Sequence, residues 1–174
     1  YRTAFVRNIK RGVEAKKYDA TMLSFNLEKI AEAIEPERDD LFKYIGIETL
    51  NDRYFVRVEG KLIETAQMMW MRIAMGLALN EKDKEARAVE FYNIMSLMRF
   101  IPSTPTLFHA GTKHPQLSSC YLNTVGDSLE SIFKVYADNA QLSKWAGGIG
   151  TNWTSVRASG ALVKKSGIKS NGLV

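Results

Sequence analysis

One cysteine in 174 residues rules out an intrachain disulfide framework, and it leaves no set of thiols with the spacing of a zinc site. The two histidines, His109 and His114, lie five positions apart in a hydroxyl-rich stretch with no fourth ligand at suitable spacing, so no metal site is expected. No apolar run approaches the roughly 18 residues that cross a bilayer. The opening "YRTAFVRNIKRGVEAKK" has no apolar core of a secretory signal. These absences fit a cytoplasmic protein in a reducing compartment. Glycine is also missing where two common chemistries need it. Ser118 and Ser119 have no nucleophile-elbow glycines, which disfavours a hydrolase, and the glycines of "KWAGGIG" follow a helical pattern where a dinucleotide fingerprint would open one.

What remains is ordinary globular material, 45% apolar and 25% charged, with a net charge of +5. The basic residues gather at the two ends. Arg7 to Lys17 reads as a solvated helix face. Arg157, Lys164, Lys165 and Lys169 lie among glycines and serines, where backbone and side chains converge readily on a phosphate. The chain starts at Tyr1 and stops at "KSNGLV", where a glycine turn gives way to apolar residues. We expect a fragment, or one half of a split protein.

Residues 1–100 read as a helical domain. "NLEKIAEAIEP" places Leu27, Ile30, Ala31 and Ile34 at helical spacing with Pro36 as the stop, and "RDDLFKYIG" gives a short helix with Leu41, Phe42 and Ile45 inward and Gly46 as cap. "RYFVRVEGKLIE" predicts a hairpin about Glu59 and Gly60. "TAQMMWMRIAMGLAL" and "EARAVEFYNIMSLMRF" predict two amphipathic helices whose Met, Trp and Phe residues are core. From 101 to 174 the pattern changes. "IPSTPTLFHAGTKHPQLSSC" holds three of the four prolines and reads as an irregular buried segment feeding a strand. "DSLESIFKVYADNAQLSKWAGG" predicts a helix with Asp127 at its N-cap, Leu129, Ile132, Phe133 and Tyr136 inward, and Gly147 and Gly148 at its end. "IGTNWTSVRA" then predicts a strand and "SGALVKKSGIKSNG" a long flexible loop. Strand, helix, strand is the start of an α/β layer that this chain does not complete.

Cys120 has two readings. Lone cysteines are usually small buried hydrophobes. Against that, Ser118 and Ser119 alternate with Leu117 and Tyr121 so that a thiol here can face a polar interior and exchange electrons with a second thiol from elsewhere. Asp127 reads as a helix cap or as an acceptor for a sugar hydroxyl, with Arg157 and the lysines beyond it holding phosphates of the same nucleotide.

In "STPTLFHAGTKHPQLSSCYL", "DSLESIF" and "SKWAGGIGTNWTSVRASGA", taken in that order, the chain resembles the large, catalytic subunit of ribonucleotide reductases. "DDLFKYIGIETLNDRYFV" and "MMWMRIAMG" resemble that family's N-terminal helical domain. The resemblance covers about residues 20–174 and implies an α/β protein: a helical domain, then the opening strands and helix of a ten-stranded barrel. It implies allosterically regulated reduction of ribonucleotides to deoxyribonucleotides for DNA synthesis, by radical chemistry. Cys120 matches the redox cysteine that ends in a disulfide with a second cysteine. Thr104, Ser119 and Gly148 match substrate-binding positions. Asp127, Ser128, Leu129, Lys144 and Arg157 match the site of the allosteric effector, a dNTP or ATP. Lys164 and Lys165 depart from the family's pattern in the loop that follows Arg157.

The family's thiyl-radical cysteine, second redox cysteine, acid/base Glu with its Asn, and radical-transfer tyrosines would all lie beyond Val174, in the rest of the large subunit; the ATP-cone that many relatives carry is not visible here, being either no part of this protein or placed before Tyr1. The resemblance further implies a small radical-generating subunit whose metal cofactor supplies the radical, thioredoxin or glutaredoxin as reductant, and a homodimer formed through the effector helices, with neither nucleic acid nor membrane as partner. Two alternatives stay open at this point: a cobalamin-dependent reductase of the same superfamily, using adenosylcobalamin, and a non-catalytic nucleotide-binding or scaffold fragment.

Overall fold

The computed structural model describes residues 1–145, 147–163 and 166–172, so the pair Lys164 and Lys165 falls outside the described residues. The chain forms two compact units, Tyr1–Leu117 and Ser118–Val174. The division comes later than position 100, where the composition changes, because the segment after Phe100 folds back onto the helices.

In the first unit, α1 (Arg2–Glu14) buries Phe5 and Ile9 and turns Arg7 and Lys10 to solvent, as expected of the basic stretch. α2 (Leu27–Glu32) follows, started by the Asn26 side chain, which accepts from the Lys29 amide. The helix expected over "RDDLFKYIG" is two pieces instead. Pro36–Leu41 is a 3₁₀ turn, the backbone is extended at Phe42 and Lys43, and α3 (Tyr44–Arg53) contains Gly46 in its first turn. Leu41 and Ile45 are exposed, while Asp39 is drawn in to accept from Gln67 Nε2 at 2.9 Å. The hairpin is present as β1 (Arg57–Val58) and β2 (Lys61–Leu62), with Glu59 and Gly60 both at positive φ, the twist a two-residue turn requires.

The centre of the unit is α4 (Ala66–Ala78), buried nearly all round and packed on α5 (Lys84–Ser96), which presents Ala88, Tyr92 and Met95 on one face. Residues 101–117 are not irregular throughout: α6 (Thr104–His109) carries Pro105 in its first turn, where a missing N–H costs nothing, and buries Thr106 and Leu107. The turn after it meets α4 backbone to backbone. A Cβ on Gly76 would stand 2.1 Å from the Gly111 nitrogen, and Gly111 itself has φ +74°.

The second unit is a strand-helix-strand layer. β3 (Cys120–Thr124) and β4 (Gly148–Asn152) pair in parallel, Cys120 opposite Gly148 through Thr124 opposite Asn152, with α7 (Leu129–Lys144) as the crossover. The helix is capped by Ser128, whose hydroxyl accepts from the Ser131 amide at 3.2 Å, and not by Asp127. It is also rotated from the expected orientation. Val135 is buried and Ile132 half-buried, whereas Leu129, Phe133 and Tyr136 are 73%, 67% and 58% exposed. The helix ends at Lys144, and Gly148 already belongs to the strand. β4 stops at Asn152, whose side chain accepts from the Thr154 amide in a turn. The stretch expected to be a flexible loop is in part a short antiparallel pairing, with Leu162 bridged to Lys169 and the Gly160 and Ser170 amides donating to the carbonyls of Ser170 and Ala161.

Candidate functional site

Cys120 opens β3, where the unclosed strand pair leaves it exposed. The parallel register sets it against Gly148, whose amide donates to the Ser119 carbonyl at 2.8 Å. A Cβ on Gly148 would come within 3.3 Å of that carbonyl and 3.7 Å of the Cys120 sulfur, so glycine leaves the backbone open beside the thiol. A Cβ on Gly150 would meet only the terminal Cδ2 of Leu122, at 2.8 Å, and that exposed side chain is free to move aside. Ser119, Cys120 and Gly148 therefore form one group. An accessible thiol on a fixed strand can take part in thiol–disulfide exchange.

The second group lies at the loops beyond the far ends of the two strands. Arg157 Nε donates to Asp127 Oδ1 at 3.0 Å and Oδ2 at 2.9 Å, and the Arg157 amide adds a third bond to Oδ1 at 3.2 Å. Asp127 is thus committed to fixing Arg157 in place of capping the helix. Arg157 Nη1 is buried with no hydrogen-bond partner among the described residues. Arg157 is also one of the residues lining a groove of about 840 Å³, with Thr151, Trp153, Ser159 and Asn171 among others. Ser128 and Leu129 stand next to this group at the start of α7. Lys144 stands apart: it is at the other end of the 16-residue helix, about 24 Å away by helical rise, with its ammonium 5.8 Å from the Trp145 ring centre.

Thr104 belongs to the first unit, exposed at the first position of α6, with its hydroxyl 3.5 Å from that of Tyr54. His109, the last residue of α6, donates from Nδ1 to the Gln116 carbonyl at 2.9 Å. Among the described residues no three His, Cys, Asp or Glu side chains gather as a metal site would need.

Two polar networks escaped the sequence reading. Asn139 on α7 accepts from Asn123 Nδ2 at 2.6 Å and donates to Thr151 Oγ1 at 3.1 Å, tying the crossover to both strands. In the first unit a buried ion pair joins Arg72 Nε to Glu64 Oε1 at 2.6 Å, and the Tyr18 hydroxyl donates to the same oxygen at 2.9 Å. Burial, the largest single influence, pulls the Arg72 pKa down, yet the Glu64 carboxylate and Tyr18 together outweigh it and the net direction is up. Burial first, and Glu64 second, push the Tyr18 pKa well above its ordinary 10.0. The one signal for this pair was an arginine inside the apolar run "MMWMRIAM".

Comparison with known proteins gives the same order of parts. The family model described as the ribonucleotide reductase all-alpha domain matches residues 40–115, and that of the ribonucleotide reductase barrel domain matches residues 118–174. The ribonucleoside-diphosphate reductase subunit alpha of Chlamydia trachomatis is 51% identical over 174 residues, all of this chain and 17% of the relative. The subunit of the same name from Helicobacter pylori is 44% identical over 140 residues, 80% of this chain and 18% of the relative. The ribonucleoside-diphosphate reductase large chain of Schizosaccharomyces pombe is 41% identical over 163 residues, 93% of this chain and 20% of the relative. The chain spans a fifth or less of these relatives' length. With a helical unit followed by an unclosed parallel strand pair, each under the matching family model, the chain belongs to the ribonucleotide reductase large-subunit family, of which it carries the helical domain and the opening of the barrel.

Proposed function

We propose that this chain is the part of a ribonucleoside-diphosphate reductase large subunit that carries one redox thiol and the effector-reading helix. The observation that carries the reading is the exposed Cys120 at the head of β3, held in register with Gly148 and next to Ser119. In the reaction, Ser119 and the Gly148 backbone of the second unit are substrate contacts, and Thr104 is, by the family resemblance, a substrate contact of the first. The substrate's 2′-hydroxyl leaves as water, and two electrons and two protons come from the Cys120 thiol and a second cysteine outside these residues. The pair ends as a disulfide, which thioredoxin or glutaredoxin reduces. The radical that starts the chemistry comes from a small subunit's metal cofactor. The relatives' names, subunit alpha and large chain, describe members of a multi-subunit enzyme and support this over the cobalamin alternative.

Asp127, Ser128, Leu129 and Arg157 read a dNTP or ATP effector at the start of α7, and Lys144, at the other end of that helix, joins an effector site only from a second copy of the chain in the homodimer. The Asp127–Arg157 pair supports that role by fixing, in the groove lining, a guanidinium whose Nη1 has no hydrogen-bond partner among the described residues. The exposed Leu129, Phe133 and Tyr136 face of α7 suits the homodimer contact. Cys120→Ser in the complete large subunit, assayed with its small subunit, lowers multiple-turnover reduction ~10³-fold or more, while effector affinity is unchanged. Parent-level turnover in this variant contradicts the role of Cys120.

A further inference from the structure

Arg72 has no solvent exposure, and its guanidinium makes more bonds than its ion pair needs. Glu64 is fully occupied. Its Oε1 accepts from the Tyr18 hydroxyl and Arg72 Nε, and its Oε2 accepts from the Val56 amide at 2.9 Å and Arg72 Nη2 at 3.4 Å. Two of the remaining Arg72 hydrogens go to the C-terminal end of α6. Nη1 donates to the Ala110 carbonyl at 2.7 Å and Nη2 to the Leu107 carbonyl at 3.2 Å. Those carbonyls end a helix, where no intrahelical partner is available. One turn further along α4, Gly76 lets the backbone at Gly111 approach directly.

A buried ion pair contributes little net stability over an apolar pair of similar volume, because both charges lose their water. What this one supplies is geometry. A planar fork binds a carboxylate on one side and two carbonyls on the other, which a lysine, with a single compact ammonium, cannot reproduce. The helix so fixed carries Thr104 at its first position. From its middle and end, Thr106 Oγ1 and His109 Nδ1 donate to the carbonyls of Leu117 and Gln116, the last residues of the unit. α6 is thereby held at its C-terminal end by Arg72, and it holds the chain that leaves the unit.

We propose that Arg72, braced by Glu64 and Tyr18, is a positioning residue for substrate: it sets α6, and through it the Thr104 hydroxyl. This rests on the reading of Thr104 as a substrate contact. Displacing a binding hydroxyl by about an ångström weakens capture of the ligand without removing any reacting group.

The test uses the complete large subunit with its small subunit. KM and kcat for the nucleoside diphosphate, effector affinity and the thermal midpoint are measured for Arg72→Lys and, as a control on the reading, for Thr104→Val. In Arg72→Lys the KM rises roughly tenfold, kcat moves much less, and effector affinity is unchanged, with Thr104→Val shifting KM in the same sense. A lower thermal midpoint with parent KM and kcat in Arg72→Lys, while Thr104→Val raises KM, overturns the inference and leaves the substrate reading intact. An unchanged KM in Thr104→Val overturns the reading of Thr104 and the inference with it. Should Arg72→Lys fail to fold, Glu64→Gln carries the same comparison, since it keeps the side-chain shape while removing the charge that holds the guanidinium.

Discussion

Tyr18 ties the stability of the first unit to alkaline pH. Its hydroxyl donates to Glu64 inside the core, and its pKa stands well above 10.0 in the folded state. Burial likewise raises Tyr92, and pushes Tyr1 up to about 12. A raised folded pKa means the stabilisation is complete below pH 10 and is lost as pH rises above it, because the unfolded chain releases its protons first. Unfolding free energy from urea titrations therefore falls above pH 10. In Tyr18→Phe the fall is shallower by about 1.4 kcal/mol per pH unit, and identical slopes in the two proteins would contradict the assignment. At this scale Cys120, Asp127 and Arg157 stand out as candidates in the sequence because each sits in a polar setting that its type alone does not explain. The Arg72 cluster was not legible, since its partners Tyr18, Glu64, Leu107 and Ala110 are scattered along the chain and only folding brings them together.

Among the elements, α7 shows where a periodic pattern misleads. Leu129, Ile132, Phe133 and Tyr136 form an apolar stripe, but Ile132, Val135, Asn139 and Leu142 form a second at the same spacing, and the second meets the strands. Periodicity marks a helix with two usable faces without choosing between them. The start of α7 misled in a similar way: Asp127 and Ser128 are both good caps, and the ion pair to Arg157 takes the aspartate. Ser128→Ala therefore destabilises the second unit by about 1 kcal/mol, read as faster amide exchange in the first turn of α7. Exchange there unchanged in Ser128→Ala but accelerated in Asp127→Ala would return the cap to Asp127. α6 was missed because hydroxyls and prolines argue for a loop, yet Pro105 falls in the one turn that tolerates it.

For the whole molecule, the two units differ in how much they enclose. The first has a continuous core from Phe5 to Ala110. The second buries only Val125 and Val135 among its described apolar side chains, and Leu122, in the middle of β3, is 89% exposed. Parallel strands of this kind are ordinarily covered on both faces, which agrees with a barrel begun and not closed. The order of helical domain and barrel opening was readable from the change in composition and from the family's motifs. The division at Leu117 was not, because it depends on α6 docking against α4. At this scale the central claim is that Cys120 ends turnover joined to a thiol these residues do not contain. Disulfide mapping by mass spectrometry tests it most directly, on the complete assembly after turnover with substrate and effector and without added reductant. The expected result is Cys120 linked to a cysteine outside residues 1–174, accumulating in step with the deoxyribonucleotide formed; a Cys120 that remains a free thiol while product appears would contradict it.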